Sequence, residues 1–97
     1  MFARLTDLQF QPDFVEQGFA IVRDSIVPTI KQQHGFNGLL LLRDPTTSSA
    51  SGLSLWESQA DMDATATGNY QVQIAKVSSL IAGPPVRRIW EVFELSL

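Results

Sequence analysis

The 97-residue sequence contains no cysteine and only one histidine. Without cysteine there is no disulfide framework, no thiolate nucleophile and no thiolate metal site. A single histidine excludes a multi-histidine metal site within one chain. No run approaches the roughly 20 apolar residues of a membrane-spanning helix. The opening stretch MFARLTDLQFQPDF is charged at Arg4 and Asp7 and is too poor in apolar residues for a secretory signal. Basic side chains are also few, seven against ten acidic ones, for a formal charge of −3. That balance argues against nucleic-acid binding by phosphate neutralisation. The expectation is a soluble cytoplasmic protein with no nucleic-acid or membrane partner.

What is present reads as globular: 44% of residues are apolar and 18% charged. The length suits one domain over residues 1–97, with a modest stability margin. Residues 2–10 are rich in strand formers and are ended by Pro12. Asp13 can cap a helix running to about Gln33, on which Val15, Phe19, Val22, Ile26 and Ile30 share one face. Pro28 lies inside that helix and should kink it, because it cannot bond to the carbonyl of Asp24. Gly35 suits the left-handed residue that closes a helix.

Strands follow at residues 36–43 and 52–57, joined by the turn-rich DPTTSSAS. Ser58 with Asp61 forms a capping box opening a helix to about Ala66. TGN at residues 67–69 interrupts it, and a further helix spans about Tyr70 to Ala82. Gly83, Pro84 and Pro85 stop that helix, and VRRIWEVFEL, residues 86–95, reads as the last strand. The order βαββαβ, with the second helix broken, predicts an α+β ferredoxin-like fold with a four-stranded antiparallel sheet.

In such a fold the helices cover one face of the sheet. Leu39, Leu40, Leu41 and Leu42 do not alternate with polar residues, so two leucines point away from the helices. Each exposed leucine forfeits about 1.5–3 kcal/mol relative to burial. With Leu53 or Trp56 and an apolar row of the last strand, including Trp90, they make a patch that soluble monomers rarely leave bare. The expectation is a homodimer packed sheet to sheet through Leu39–Leu42 and Trp90.

The internal-proline helix, HGFNGLLLLRDP, LSLWESQADMDA and IAKVSSLIAGPPVRRIWEV, in that order, resemble the antibiotic biosynthesis monooxygenase (ABM) domain. The most specific parts are Gly35 to Gly38 and Trp56 to Ser58. The resemblance implies a dimeric α/β barrel with a small-molecule cavity between sheet and helices. It also implies cofactor-independent oxygenation of aromatic substrates, with no metal and no cofactor.

Trp56 matches the strand-end tryptophan of the oxygenases. Their second-strand histidine, third-strand asparagine and helix tyrosine fall near Leu42, Gly52 and Met62, which can neither take a proton nor steady an anion. Oxidative haem degradation fits poorly. Its asparagine, tryptophan and iron-ligating histidine fall on Ala3, Thr65 and the neighbourhood of Ala75, and His34 lies at the end of the first helix.

The candidate catalytic side chains are therefore Trp56, Arg4 and Tyr70. Each has a plainer reading: Trp56 as core, Arg4 as an ion pair with Glu91 or Glu94, and Tyr70 as packing with a wet tip. His34 reads as a helix-terminal cation. Arg87 and Arg88 point to opposite faces. An RNA-recognition sheet would present aromatics in a basic surface, not leucines on an acidic chain. Two functions remain: a monooxygenase acting on a small aromatic or quinone-like molecule, and a non-catalytic ligand-binding or structural dimeric module.

Overall fold

The computed structural model describes residues 1–66 and 68–97. Thr67, the first residue of the expected TGN interruption, lies outside the described residues. Four strands, β1 (Phe2–Gln9), β2 (Phe36–Arg43), β3 (Ser49–Trp56) and β4 (Val86–Glu91), form one antiparallel sheet in the order β2-β3-β1-β4. A long helical segment α1, residues 12–30, joins β1 to β2. Helices α2 (Gln59–Ala66) and α3 (Asn69–Ala75) lie between β3 and β4. This is the expected α+β ferredoxin-like arrangement. Among the described residues, no helix is long and apolar enough to cross a membrane.

The start of α1 differs from expectation. Asp13 makes no capping bond; the segment opens with a 3₁₀ turn, Pro12–Phe14, that carries Pro12 in its first turn. Proline is favoured there because its missing N–H would have had no helical partner. The kink expected at Pro28 takes the form of a π-helical turn, Val22–Ile26, between α-helical stretches Val15–Ile21 and Val27–Ile30. Pro28 has no N–H to give to the carbonyl of Asp24. The preceding turn widens, with Val27 N–H donating to the Val22 carbonyl five residues back. The helix thus admits the proline without breaking.

The expected helix to Ala82 ends at Ala75. Beyond it the chain is drawn to the end of β1. Gln11 N–H donates to the Leu80 carbonyl at 2.9 Å, Ala82 N–H donates to the Gln9 carbonyl at 2.7 Å, and Phe10 pairs with Ile81. Val77 and Leu80 are buried in the process, in a cluster with Leu8, Phe10, Val22, Ile26 and Ala50. β3 starts at Ser49, earlier than expected, because Gln9 to Thr6 of β1 supply partners for Ser49 to Gly52. β4 stops at Glu91, which is paired with Phe2, the first residue of β1.

Two glycines fix close approaches. The Phe10 ring lies where a side chain at Gly18 would stand, so α1 sits directly on the end of β1. Gly35 has φ of +81° and its missing side chain leaves room for Asp61. Its carbonyl accepts from Glu57 N–H at 2.7 Å. Asp61 in turn belongs to the capping box: its N–H donates to Ser58 Oγ at 3.1 Å, and Ser58 Oγ donates to Asp61 Oδ2 at 3.0 Å. The Gly35–Gly38 and Trp56–Ser58 motifs are therefore one physical junction.

Gly35→Ala should destabilise the fold by more than the ~1–2 kcal/mol of a left-handed alanine, since Asp61 must also move. Gly83→Ala, in open space, should stay within about 0.5 kcal/mol of wild type. Urea unfolding of both variants checks this, and equal effects would contradict it.

Candidate functional site

Strand register sorts the side chains by face. Arg4 lies opposite Ser54 and Ile89, Thr6 opposite Gly52 and Arg87, and Leu39 and Leu41 flank Ser54 and Gly52. This row faces the helices. Leu40, Leu42, Leu53, Leu55, Leu5, Val86 and Trp90 point the other way, where Leu40 and Trp90 are 57% and 53% exposed. Of the four leucines expected to divide between the two faces, the register now assigns each pair. Leu39 and Leu41 line the interior, and Leu40 and Leu42 lie on the open face. Asp7 is on that open face as well, where it accepts from Ser51 Oγ at 2.5 Å.

Between the helix-facing side of the sheet and the helices lies a partly open cavity of about 80 Å³. Most of its wall is aliphatic: Leu8, Ala50, Leu39 and Leu41 from the sheet, Val22, Ile26, Val27 and Ile30 from α1, and Ile74 from α3. Val22 and Ile26 belong to the π-helical turn, so the local widening near Pro28 shapes the wall directly. Arg4, Thr6, Ser54, Asn69, Tyr70 and Gln73 supply the polar part.

Arg4 is 4% exposed. One terminal nitrogen donates to Thr65 Oγ1 at 2.9 Å and to the Met62 carbonyl at 3.5 Å. Its guanidinium lies 5.4 Å from the Trp56 ring centre and 5.1 Å from that of Tyr70. Arg87, on the same sheet face, packs against Tyr70 as well, at 4.7 Å. Among the described residues no carboxylate is in ion-pair contact with Arg4, so the pair expected with Glu91 or Glu94 does not form. Burial pushes the Arg4 guanidinium below its ordinary pKa, and the charge of Arg87 adds to this; Tyr70 and Asp63 oppose it. The cation persists all the same, since arginine does not lose its proton in proteins.

Trp56 is fully buried, donates from Nε1 to Ser54 Oγ at 2.8 Å, and packs edge-on against Phe36 at 5.8 Å. It reaches the cavity through Arg4 and Ser54, which line it, and serves as the floor on which Arg4 rests. Thus the three candidates Arg4, Tyr70 and Trp56 come together, with Arg4 and Tyr70 on the wall and Trp56 behind. His34 is elsewhere, exposed, with Nε2 3.5 Å from Asp61 Oδ1. Among the described residues there is no group of acidic or histidine side chains able to hold a metal ion.

Sequence reasoning missed Arg87 and Gln73. Both left a signal. For Arg87 the signal was alternation with Arg88, which put one of the two on the helix-facing side; the register with Thr6 shows that it is Arg87. Gln73 follows Tyr70 by three residues on one helix, the spacing that places side chains side by side.

Arg4→Met tests whether Arg4 holds the fold. The variant loses hydrogen bonds worth about 1 kcal/mol each but also removes a desolvated charge costing several. It should unfold within about 1 kcal/mol of wild type in urea. A loss of 3 kcal/mol or more would mean that Arg4 is a structural tie.

No family profile matches the chain. The uncharacterized proteins Rv2557 and MT2634 of Mycobacterium tuberculosis are each 27% identical to it over 92 residues, covering 95% of this chain and 41% of theirs. The chain thus spans about two fifths of the length of the curated relatives it matches. Among solved structures, a Deinococcus radiodurans protein assigned as an antibiotic biosynthesis monooxygenase superposes with TM-score 0.83 at 14% identity, over 100% of this chain and 97% of that one. A monooxygenase of Streptomyces coelicolor from the gene ActVA-Orf6, solved with the ligand nanaomycin D, superposes with TM-score 0.80 at 16% identity, over 99% and 90%. At these identities the likeness is one of fold: the chain folds as these solved structures do, in the ferredoxin-like α+β arrangement described above.

Proposed function

We propose that the protein is a cofactor-independent monooxygenase that works as a homodimer on a small aromatic or quinone-like molecule held between sheet and helices. The observation that carries this reading is Arg4: a cation buried on the wall of an apolar cavity, with aromatic rings beside it and, among the described residues, no carboxylate in ion-pair contact with it. Such a group is costly unless something anionic meets it. In cofactor-free oxygenation the reacting anion arises from the substrate itself. Loss of a C–H or O–H proton leaves an oxyanion, and a preorganised donor in a water-poor site stabilises it. That anion passes an electron to O₂, and recombination of the radical pair forms a C–O bond. Loss of water from the resulting hydroperoxide leaves a carbonyl, so one oxygen atom stays on the substrate and the other departs as water.

The second reading, a non-catalytic ligand-binding module, has its own support. Arg4 and neutral polar groups make up the polar wall, without a carboxylate or imidazole among its described residues to accept the substrate proton. Under the first reading, that proton must leave to solvent through the cavity mouth. That the Streptomyces coelicolor monooxygenase of this fold was solved with a bound ligand supports a ligand-binding role in either case.

The dimer rests on the open sheet face. Leu40, Leu42, Val86 and Trp90 are each about half exposed on one surface, with Leu5, Leu53 and Leu55 beside them. A second copy of the same sheet would bury them. Light scattering at micromolar concentration should give twice the chain mass, and the Leu40→Lys, Trp90→Glu double variant should give the chain mass. A monomeric wild type would overturn the dimer.

Oxygen uptake with a panel of hydroquinones tests catalysis. Wild type should consume O₂ with at least one of them. Arg4→Met should lose roughly 10²–10³-fold in rate, as when an oxyanion donor is removed. Trp56→Phe should lose less, because it only loosens the floor under Arg4. Absence of uptake with every hydroquinone would leave the binding module as the function.

A further inference from the structure

The polar wall holds two buried side chains whose bonding capacity the fold leaves unused. Gln73 is 4% exposed, and its Nε2 donates to Asn69 Oδ1 at 3.0 Å, but its Oε1 has no hydrogen-bond partner among the described residues. A buried acceptor without a donor is unfavourable and calls for an occupant that supplies one. Arg4 carries five N–H groups, yet Thr65 and Met62 engage only one terminal nitrogen. The other terminal nitrogen and Nε have no hydrogen-bond partner among the described residues. One site asks for an anionic acceptor and the other for a neutral donor.

Size narrows the occupant further. About 80 Å³ is a fraction of the roughly 300–1,000 Å³ that sites for drug-sized molecules offer. It is smaller even than the roughly 150 Å³ cavity that accommodates benzene, so any ring must extend into the open mouth, and the smallest ring needs the least adjustment. A fused polycycle needs still more room, taken through the mouth or by opening the helices away from the sheet. A rigid ring also loses less conformational freedom in so small a space than a flexible acid of equal apolar area.

We infer that the cavity takes a single-ring aromatic anion that also carries a hydroxyl or amino donor, with its oxyanion on Arg4, its donor on Gln73 Oε1 and its ring against the aliphatic wall. This rests on the cavity being the ligand site, as in the function proposed above, and narrows that reading to the class of ligand the cavity accepts, with 4-hydroxybenzoate as a binding probe rather than the oxidised substrate. 4-Hydroxybenzoate has the required features. Benzoate lacks the donor, phenol at neutral pH lacks the anion, hexanoate lacks the ring, and a hydroxyanthraquinone carboxylate exceeds the space.

Calorimetric titration of the intact protein with these five compounds decides the matter without requiring turnover. 4-Hydroxybenzoate should bind at least fivefold more tightly than any of the others. Gln73→Met should bring 4-hydroxybenzoate and benzoate to equal affinity, and Arg4→Met should weaken both at least tenfold. Should Arg4→Met fail to fold, the Gln73→Met comparison alone carries the test. Absence of binding by 4-hydroxybenzoate at millimolar concentration, tighter binding of the tricycle or hexanoate, or a preference unchanged in Gln73→Met would each overturn the inference. Binding without O₂ uptake from any hydroquinone would sustain it while removing the oxygenase. Uptake with a tricyclic quinol but no benzoate binding would do the reverse.

Discussion

A guanidinium held out of water, with an indole beneath it and a phenol beside it, is the feature around which this structure is organised. Arg4 comes from the strand second from one edge of the sheet, Trp56 from the end of its neighbour, Tyr70 from α3, and Thr65 and the Met62 carbonyl from α2. One side chain thus ties the centre of the sheet to both helices of the second crossover. The rings supply attraction through their negative faces, and the hydrogen bonds supply direction. Neither supplies a counter-charge, and a stability-driven core has little use for a cation without one. The exposed surface, by contrast, spends its carboxylates on arginines freely: Asp24 meets Arg23, and Glu16 meets Arg43.

The cavity beside Arg4 follows from departures from ideal geometry. Pro28 forces the turn before it to widen, and the two buried residues of that turn, Val22 and Ile26, become cavity wall. Gly52 and Ala50 on β3 keep the opposing floor low. At the far end, Phe10 presses into the space left by Gly18 and closes the core tightly. The molecule is therefore close-packed at one end of the sheet and open in the middle, with the open part lined by aliphatic groups and a few polar ones. Such unfilled space lowers stability, and proteins commonly tolerate that loss where a ligand binds.

Much of this could be read from residue order. Periodicity, the Gly-Pro-Pro stop and the capping box located every strand and helix, and the unalternating leucines revealed a sheet with two apolar faces. Boundaries were less legible, because they are decided between segments far apart in the chain. α3 ends at Ala75 because β1 needs partners at Gln9 and Gln11, and no local signal in KVSSLIA announces that. The site was legible in part. Parity placed Arg4 on one face, and helical spacing from Tyr70 could have added Gln73. That Arg4 would pair with neither Glu91 nor Glu94 was not readable, since the two were equally plausible partners until register set Glu91 opposite Phe2. The π-helical turn was legible only as a proline in the wrong place.

The central claim is that Arg4 waits for an anion and is not merely part of the scaffold. The ¹⁵Nε–¹Hε resonance of Arg4 reports this directly, at a single atom and without catalysis. Titration with 4-hydroxybenzoate should move that resonance saturably and slow its exchange with water, while the resonances of exposed Arg23 and Arg43 stay in place. A resonance of Arg4 that stays fixed up to millimolar ligand, in a protein otherwise folded, would contradict the account.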